Sequence, residues 1–175
     1  IHRKAKFNMS ADEVLAQAVA SVQFARTMFD DVEFSAEDAI RTEPEYLADV
    51  LEAVAEAGAQ TLNVPDTVGY STPAEIHELF SYLNRRVIQK YPNTILSAHC
   101  HDDLGMAVAN TLSAVKAGAR QVEVAINGIG ERAGNCALEE VVMALRTRAD
   151  QFGLTTGVDA TKLVGVSRLL SKVTE

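Results

Sequence analysis

The first group whose type and spacing could do chemistry is a pair of histidines one residue apart. His99 and His101 close a predicted strand, and residues two apart in a strand point to the same side of it. Both imidazoles would therefore face one point, while Cys100 between them would point away. Two imidazoles that face one point can supply half of the first shell of a divalent metal ion. A pair of polar residues that closes a strand, followed by Asp103 as a helix cap, explains the same pattern without a ligand.

A glycine-rich segment over 127–135 follows the fourth predicted strand and is the second such group. Its glycines allow positive φ angles and a close approach of the backbone to a ligand. Glu131 and Arg132 add charge, and Asn135 offers a carboxamide oxygen. The spacing of the glycines differs from that of a dinucleotide-binding loop, and an ordinary turn whose charges face water is the alternative. The glycines are Gly128, Gly130 and Gly134.

Two further polar side chains lie at or near the ends of predicted strands. Thr67 follows the second strand, where its hydroxyl could hydrogen-bond to a substrate carboxylate, although a Pro-Asp turn without function explains the segment nearly as well. Glu33 shares a strand face with Ser35. If that face lines a barrel, a buried carboxylate is costly unless it is paired or catalytic. On an outer face, Glu33 would meet solvent or a helix.

The elements that must carry these side chains alternate regularly along the chain. Four short β-rich segments are separated by amphipathic or alanine-rich runs of helical length, which predicts a parallel sheet. Ser10 and Glu13 form a candidate capping box at the start of the first helix. The predicted strands cover 31–35, 61–64, 94–99 and 121–125. The predicted helices cover 10–29, 44–57, 72–89, 104–117, 137–152 and 158–173.

The spacing of the strands narrows the architecture. Their ends lie about 30 residues apart, so eight such units would need about 240 residues, close to the roughly 250 of a (β/α)₈ barrel. The chain holds four units, which predicts either a small doubly wound sheet or half of a barrel. In half of a barrel, the strand ends share one rim, so the candidate side chains would converge there. They are His99, His101, Asn135, Thr67 and Glu33.

Composition excludes several classes of function. The 175 residues carry 16 Lys and Arg against 24 Asp and Glu, and the net charge of −8 argues against a general nucleic-acid binder. No apolar run approaches the roughly 18–20 residues that span a bilayer, so no membrane partner is expected. The two cysteines, Cys100 and Cys136, make a disulfide scaffold an unfavourable interpretation and predict a reducing, cytoplasmic compartment.

Taken together, four segments resemble the 2-isopropylmalate synthase family, a group of metal-dependent (β/α)₈-barrel acyl-CoA condensing enzymes. Two of them carry the resemblance most specifically: His99-Cys-His-Asp-Asp-Leu-Gly-Met-Ala-Val-Ala-Asn110 and Asn127-Gly-Ile-Gly-Glu-Arg-Ala-Gly-Asn-Cys136. The segments 32–39 and 63–70 match the ends of the family's fifth and sixth strands. The resemblance covers essentially the whole chain, so residues 1–175 are expected to form a partial catalytic barrel with strands five to eight.

The resemblance implies a Claisen-type condensation of acetyl-CoA with 2-oxoisovalerate, which gives 2-isopropylmalate and CoA in the first committed step of leucine synthesis. It implies a divalent ion, with Mn²⁺ favoured and Mg²⁺ or Zn²⁺ as alternatives, held by His99, His101 and Asn135. Thr67 matches a threonine that contacts the substrate carboxylate. Glu33 matches a glutamate that lines the oxo-acid pocket and is the candidate catalytic carboxylate. The family also implies a homodimer of the complete enzyme.

The family's first-strand Asp-x-x-Arg-Asp-Gly segment, which supplies a metal ligand and a catalytic arginine, has no counterpart in this sequence. Its linker subdomain and its leucine-sensing regulatory domain have none either. We therefore expect the chain to be a fragment of the enzyme that is inactive on its own. Homocitrate synthase, citramalate synthase or a related acyl-CoA lyase are alternatives, because they share the same motifs. A metal-binding dimerisation module is the alternative that is not an enzyme.

Overall fold

The computed structural model describes residues 2–174, without the side chains of residues 3 and 4. Four parallel strands form one sheet in the order β1-β2-β3-β4. The strands are β1 (Glu33–Ser35), β2 (Thr61–Asp66), β3 (Ile95–Cys100) and β4 (Gln121–Glu123). A doubly wound sheet reverses its strand order at a switch point, whereas a barrel keeps strands in chain order. The α/β prediction is confirmed, and the sheet is a segment of a (β/α)₈ barrel.

Within residues 2–174, seven α-helices precede, connect or follow the strands, and their bounds lie near those predicted. They are α1 (Ala11–Arg26), α2 (Pro44–Glu56), α3 (Pro73–Leu83), α4 (Ala107–Lys116), α5 (Leu138–Thr147), α6 (Ala149–Phe152) and α7 (Leu163–Thr174). Short 3₁₀ or π turns cover Arg3–Phe7, Ala39–Arg41, Asn84–Ile88, Ile126–Gly128 and Ala160–Lys162. None of the helices within residues 2–174 combines the length and the hydropathy needed to cross a membrane.

One predicted helix start is confirmed, another is wrong, and one predicted helix is interrupted. The capping box of Ser10 and Glu13 is confirmed, since each side chain bonds the backbone N–H of the other residue. The expectation that Asp103 caps the fourth helix is wrong. The Asp102 carboxylate instead accepts from the N–H of Ala107, at 2.8 Å. The predicted helix over 137–152 is interrupted at Arg148, whose φ of −113° and ψ of 41° separate α5 from α6.

The two faces of the sheet differ sharply in polarity. The outer face packs on the helices through buried apolar side chains, among them Leu62, Val64, Leu96 and Ala98. The opposite, inner face carries polar side chains, because successive residues of a strand alternate between faces. The inner face is lined by Glu33, Ser35, Asn63, Ser97, His99, Gln121 and Glu123. Because the apolar core packs against the outer face, the polar side chains of the inner face are available for binding or catalysis.

Candidate metal centre

His99 and His101 face each other at the C-terminal end of β3. Their Nε2 atoms lie 3.1 Å apart and their ring centroids 4.9 Å apart. Cys100 between them points to the other side and is 1% exposed, in the apolar core. The same-side prediction for the two imidazoles is therefore confirmed.

The separation of the two Nε2 atoms fits a shared metal ion. Two imidazole nitrogens about 2.1 Å from one ion would lie 3.1 Å apart if they subtended about 95° at it. That angle lies between the ligand–metal–ligand angles of octahedral and of tetrahedral coordination. Burial, followed by the neighbouring His99 and Arg132, lowers the pKa of His101, which favours the neutral imidazole that metals bind.

Asn135 lies beside this pair because a short antiparallel bridge joins it to His101. Hydrogen bonds on both sides of the bridge hold it, from Asp102 N to Gly134 O and from Cys136 N to Cys100 O, each 3.0 Å. The Asn135 Nδ2 donates to Ile129 O at 3.0 Å. Its Oδ1 is buried and has no hydrogen-bond partner among residues 2–174. A buried carboxamide oxygen without a partner, on a residue whose backbone is bridged to that of His101, fits the third donor of a metal site.

The glycines of the 127–135 loop are required by its shape. Gly128 and Gly134 have φ angles of 63° and 107°, which side chains disfavour. A Cβ on Gly134 would lie 2.3 Å from Gly128 O, and one on Gly130 would lie 2.2 Å from Asn135 Nδ2. The loop therefore wraps closely around the Asn135 carboxamide, and the close approach of its backbone to a ligand stays a prediction.

Arg132 joins three loops at the rim. Its Nε and Nη2 donate to the two carboxylate oxygens of Asp103 at 2.7 and 2.9 Å, and Nη2 also donates to Thr67 O at 2.9 Å. The guanidinium holds the pKa of Asp103 below its usual range. Arg132 has a φ of 55°, which is uncommon outside glycine. Its neighbour Glu131 has a side chain that is 82% exposed.

Thr67 is held at the same rim by its own segment. The buried Asp66 carboxylate accepts from the N–H groups of Gly69 and Ser71, each at 3.0 Å, which fixes the turn after β2. The Thr67 Oγ1 accepts from Asp38 N at 3.0 Å, so its own proton stays available for another acceptor. The hydroxyl can therefore donate to a ligand, as predicted.

Glu33 is the candidate that the structure does not bring to the rim. It begins β1 and is in register with Thr61, at the start of β2. Gln121 Nε2 donates to Glu33 Oε2 at 2.7 Å and to Ser97 Oγ at 3.2 Å. Burial, and then a contact with Glu123, raises the pKa of Glu33. Glu33 lies on the inner face of the sheet, which was one of the two predicted alternatives. It contacts Glu123, and Glu123 in turn contacts His99.

The chain also matches known proteins. The model of the HMGL-like family matches residues 1–170. The chain belongs to the HMGL-like family. It is 58% identical to 2-isopropylmalate synthase of Rhodopirellula baltica over 174 residues, which are 99% of this chain and 33% of that protein. The enzyme of the same name from Brevibacillus brevis is 56% identical over 99% of this chain and 34% of its own length. The chain thus spans about a third of these relatives.

Solved structures of the HMGL-like type share the fold. Hydroxymethylglutaryl-CoA lyase from Pseudomonas aeruginosa aligns with a TM-score of 0.80 and 22% identity, over 99% of this chain and 59% of the lyase. An HMG-CoA lyase from Acinetobacter baumannii, solved with coenzyme A and 3-methylmalate, aligns with a TM-score of 0.76 and 20% identity, over 98% of this chain and 57% of that one. At these identities the likeness establishes the fold, and the segment matched is part of the barrel.

Glu123, which contacts His99 in this HMGL-like chain, was not among the site residues predicted from the sequence. Its Oε2 lies 2.5 Å from His99 Nδ1, across the parallel pairing that sets His99 opposite Glu123. The signal that could have found it is the alternation of Gln121-Val-Glu, which turns Glu123 to the same face as Gln121. An acidic residue on the inner face of a strand next to the His-x-His strand is a candidate partner for an imidazole.

Two cysteines lie behind the site, on its apolar side. Cys100 and Cys136 are buried and free. Burial raises the pKa of the Cys100 thiol to about 12 and that of the Cys136 thiol to about 11. Neither thiol is therefore poised as a nucleophile or a metal ligand, since both need the thiolate. Across residues 2–174, no three His, Cys, Asp or Glu side chains cluster to hold an ion.

Proposed function

We propose that this chain is the metal-carrying part of a 2-isopropylmalate synthase, with residues 1–175 as a partial catalytic barrel domain. The enzyme would condense acetyl-CoA with 2-oxoisovalerate and water to 2-isopropylmalate and CoA, the first committed step of leucine synthesis. The observation that carries the proposal is the 3.1 Å approach of two imidazole Nε2 atoms at the strand end to which Asn135 is bridged. The 53–58% identity to enzymes of that name supports it.

His99, His101 and Asn135 would hold the metal, with Mn²⁺ favoured and Mg²⁺ or Zn²⁺ as alternatives. When bound, a divalent ion supplies a Lewis acid that polarises the ketone of the 2-oxo acid. The mixed nitrogen and oxygen donor set is compatible with all three ions. A complete shell needs donors beyond these three, and the resemblance assigns one to an aspartate of the first barrel strand.

The other residues at the rim would bind and orient the 2-oxo acid. The Thr67 hydroxyl, whose lone pair already accepts from Asp38 N, would donate its proton to the substrate carboxylate. Arg132 would keep Thr67 in place through its bond to the Thr67 carbonyl oxygen. Glu33, which lies on the inner face away from the rim, would line the oxo-acid pocket, as the resemblance implies; burial raises the pKa of its carboxyl group.

Two further properties of the complete enzyme follow from the same proposal. The buried, unpaired Cys100 and Cys136 suit a reducing compartment, so we propose that it acts in the cytoplasm. The homodimer implied by the family resemblance also stays a prediction. Sedimentation of the complete protein at micromolar concentration tests the dimer.

The reaction is tested on the complete protein by following CoA release with a thiol reagent. With Mn²⁺ and acetyl-CoA present, we expect 2-oxoisovalerate to be the preferred 2-oxo acid. Preference for pyruvate would indicate citramalate synthase, and preference for 2-oxoglutarate would indicate homocitrate synthase. Cleavage of an acyl-CoA without condensation would indicate a lyase. Metal binding and dimerisation without any CoA release would support the non-enzymatic module instead.

The chain on its own should be inactive. Its two imidazoles and one carboxamide make an incomplete metal shell, and the resemblance assigns a catalytic arginine to a segment that this sequence does not contain. We expect no CoA release above the buffer rate from the purified 175-residue chain with both substrates and Mn²⁺. Clear, substrate-dependent release from this chain would contradict that expectation.

A further inference from the structure

Glu123 makes a contact with His99 that none of the proposed roles uses. The His99 Nδ1 and Glu123 Oε2 atoms are 2.5 Å apart, and both side chains are partly buried on the inner face of the sheet. The pairing of β3 with β4 sets the two residues directly opposite each other. The contact is therefore fixed by strand register and does not depend on a mobile loop.

The chemistry of this contact decides which His99 nitrogen carries the proton. An ionised carboxylate only accepts hydrogen bonds, so Nδ1 must be the donor. The lone pair of the neutral ring is then on Nε2, which is the atom that faces His101 Nε2. A carboxylate behind a ligating imidazole also orients the ring and raises its basicity. From this geometry we propose that Glu123 is a positioning residue that fixes His99 as a metal ligand.

The two imidazoles are not equivalent in this respect. His101 Nδ1 is buried and has no hydrogen-bond partner within residues 2–174. His99 is thus the imidazole of the pair whose ring is backed by a carboxylate. Loss of Glu123 would leave both rings without such support, and either nitrogen of His99 could then carry the proton.

Glu33 cannot take over this role. Its Oε2 accepts from Gln121 Nε2, and its residue lies at the start of β1, in register with Thr61. It reaches His99 only through Glu123, which keeps Glu123 as the carboxylate that contacts the imidazole.

The inference rests on the proposed metal site, and the test separates the two. The complete protein, free of substrates, is titrated with Mn²⁺, and free Mn²⁺ is followed by electron paramagnetic resonance. Glu123→Gln removes the charge but keeps an acceptor, whereas Glu123→Ala removes both. Glu78→Gln, on the exposed side of α3, is the matched control for the loss of one negative charge. Circular dichroism verifies that each variant is folded.

We expect Glu78→Gln to bind Mn²⁺ like the parent protein, and Glu123→Gln to bind it about 10-fold to 100-fold more weakly. Glu123→Ala should bind it more weakly still. Unchanged affinity in folded Glu123→Gln would overturn the inference while leaving the metal site intact.

A second readout does not need the metal. Nitrogen-15 NMR of the histidine rings should report a single Nδ1–H tautomer for His99 in the parent protein and a mixture in Glu123→Ala. If the parent protein fails to bind Mn²⁺, the proposed function fails. The His99 tautomer seen by NMR then still shows whether Glu123 fixes the His99 ring. A mixed His99 tautomer in the parent protein would overturn the inference.

Discussion

At the scale of one residue, the absence of a side chain at Gly130 makes room for the carboxamide of Asn135, the proposed third metal ligand. The Cα of Gly130 lies so close to Asn135 that a Cβ would be 2.2 Å from Nδ2 and 2.7 Å from Cγ. The carboxamide is held in that space by its bond to Ile129 O. Its other atom, Oδ1, is thereby left for a ligand.

Gly130→Ala should weaken Mn²⁺ binding about tenfold, because the new methyl group displaces the Asn135 carboxamide. Gly130 is not among the glycines with positive φ, so the substitution should not strain the backbone. Gly157→Ala is the control, since its Cβ would meet nothing within 4 Å. Equal Mn²⁺ affinity in the two variants would contradict the role given to Gly130.

The imidazole pair was predictable from sequence because its geometry is local: alternation along one strand places His99 and His101 on one side. The glycines marked the loop that carries Asn135, whose role as a metal donor, implied by the resemblance, stays a prediction. The contact of Glu123 with His99 was not, because it depends on the register between two strands 24 residues apart. The alternation within β4 indicates which face Glu123 occupies, but its pairing with His99 is set by the packing of the whole sheet.

At the scale of elements, Arg132 connects the loops that follow β2, β3 and β4. It bonds the Asp103 carboxylate and the Thr67 carbonyl oxygen, so the loops after β2 and β3 share one guanidinium. The same ion pair explains why Asp103 does not cap α4. Its carboxylate is engaged by an arginine 29 residues later, and Asp102 accepts from the first turn instead.

Arg132→Lys should raise the KM for the 2-oxo acid a few-fold with little change in thermal stability, because exposed ion pairs contribute little to folding. A lysine cannot bond Asp103 in two places and also reach the Thr67 carbonyl. Hydrogen exchange over 126–135 should become faster. Arg148→Lys, which breaks the exposed pair with Asp150, is the control. If both variants and the parent protein have the same KM for the 2-oxo acid, the role given to Arg132 is refuted.

The capping box of α3 gives a pH-dependent prediction. Hydrogen bonds from the backbone N–H and the hydroxyl of Thr72 lower the pKa of Glu75. A lowered folded-state pKa contributes stability above the unfolded value, about 4.3, and loses it as pH falls through the folded-state value.

Glu75→Gln should therefore unfold at lower urea concentration than the parent at pH 7. The difference should shrink as the pH falls below about 4. Glu78→Gln on the same helix serves as the control. A urea difference between Glu75→Gln and the parent that is independent of pH would show that charge is not involved.

For the whole molecule, the decisive feature is a sheet with an apolar outer face, a polar inner face and two open edges, β1 and β4. The strand spacing predicted four β/α units but did not decide between a small doubly wound sheet and half of a barrel. The consecutive strand order decided it. The spacing alone could not give that order, but the family resemblance predicted it and the structure confirms it.

Open edges are templates for further strands, so the 175-residue chain on its own should associate. We expect size-exclusion chromatography with light scattering to report species larger than a monomer, or aggregation. The complete protein, in which other barrel strands would cover the edges, should not form these species. A monomeric chain with a sharp thermal transition would contradict this expectation.

The buried thiols of Cys100 and Cys136 have a practical consequence. Thiolates attack disulfide reagents, and these two sulfurs are both shielded and held in the protonated form at neutral pH. This segment should therefore contribute almost no background colour when a chromogenic reagent reports newly formed CoA. The same measurement in urea should reveal two sulfhydryls per chain, and the colour gained then counts unfolded molecules.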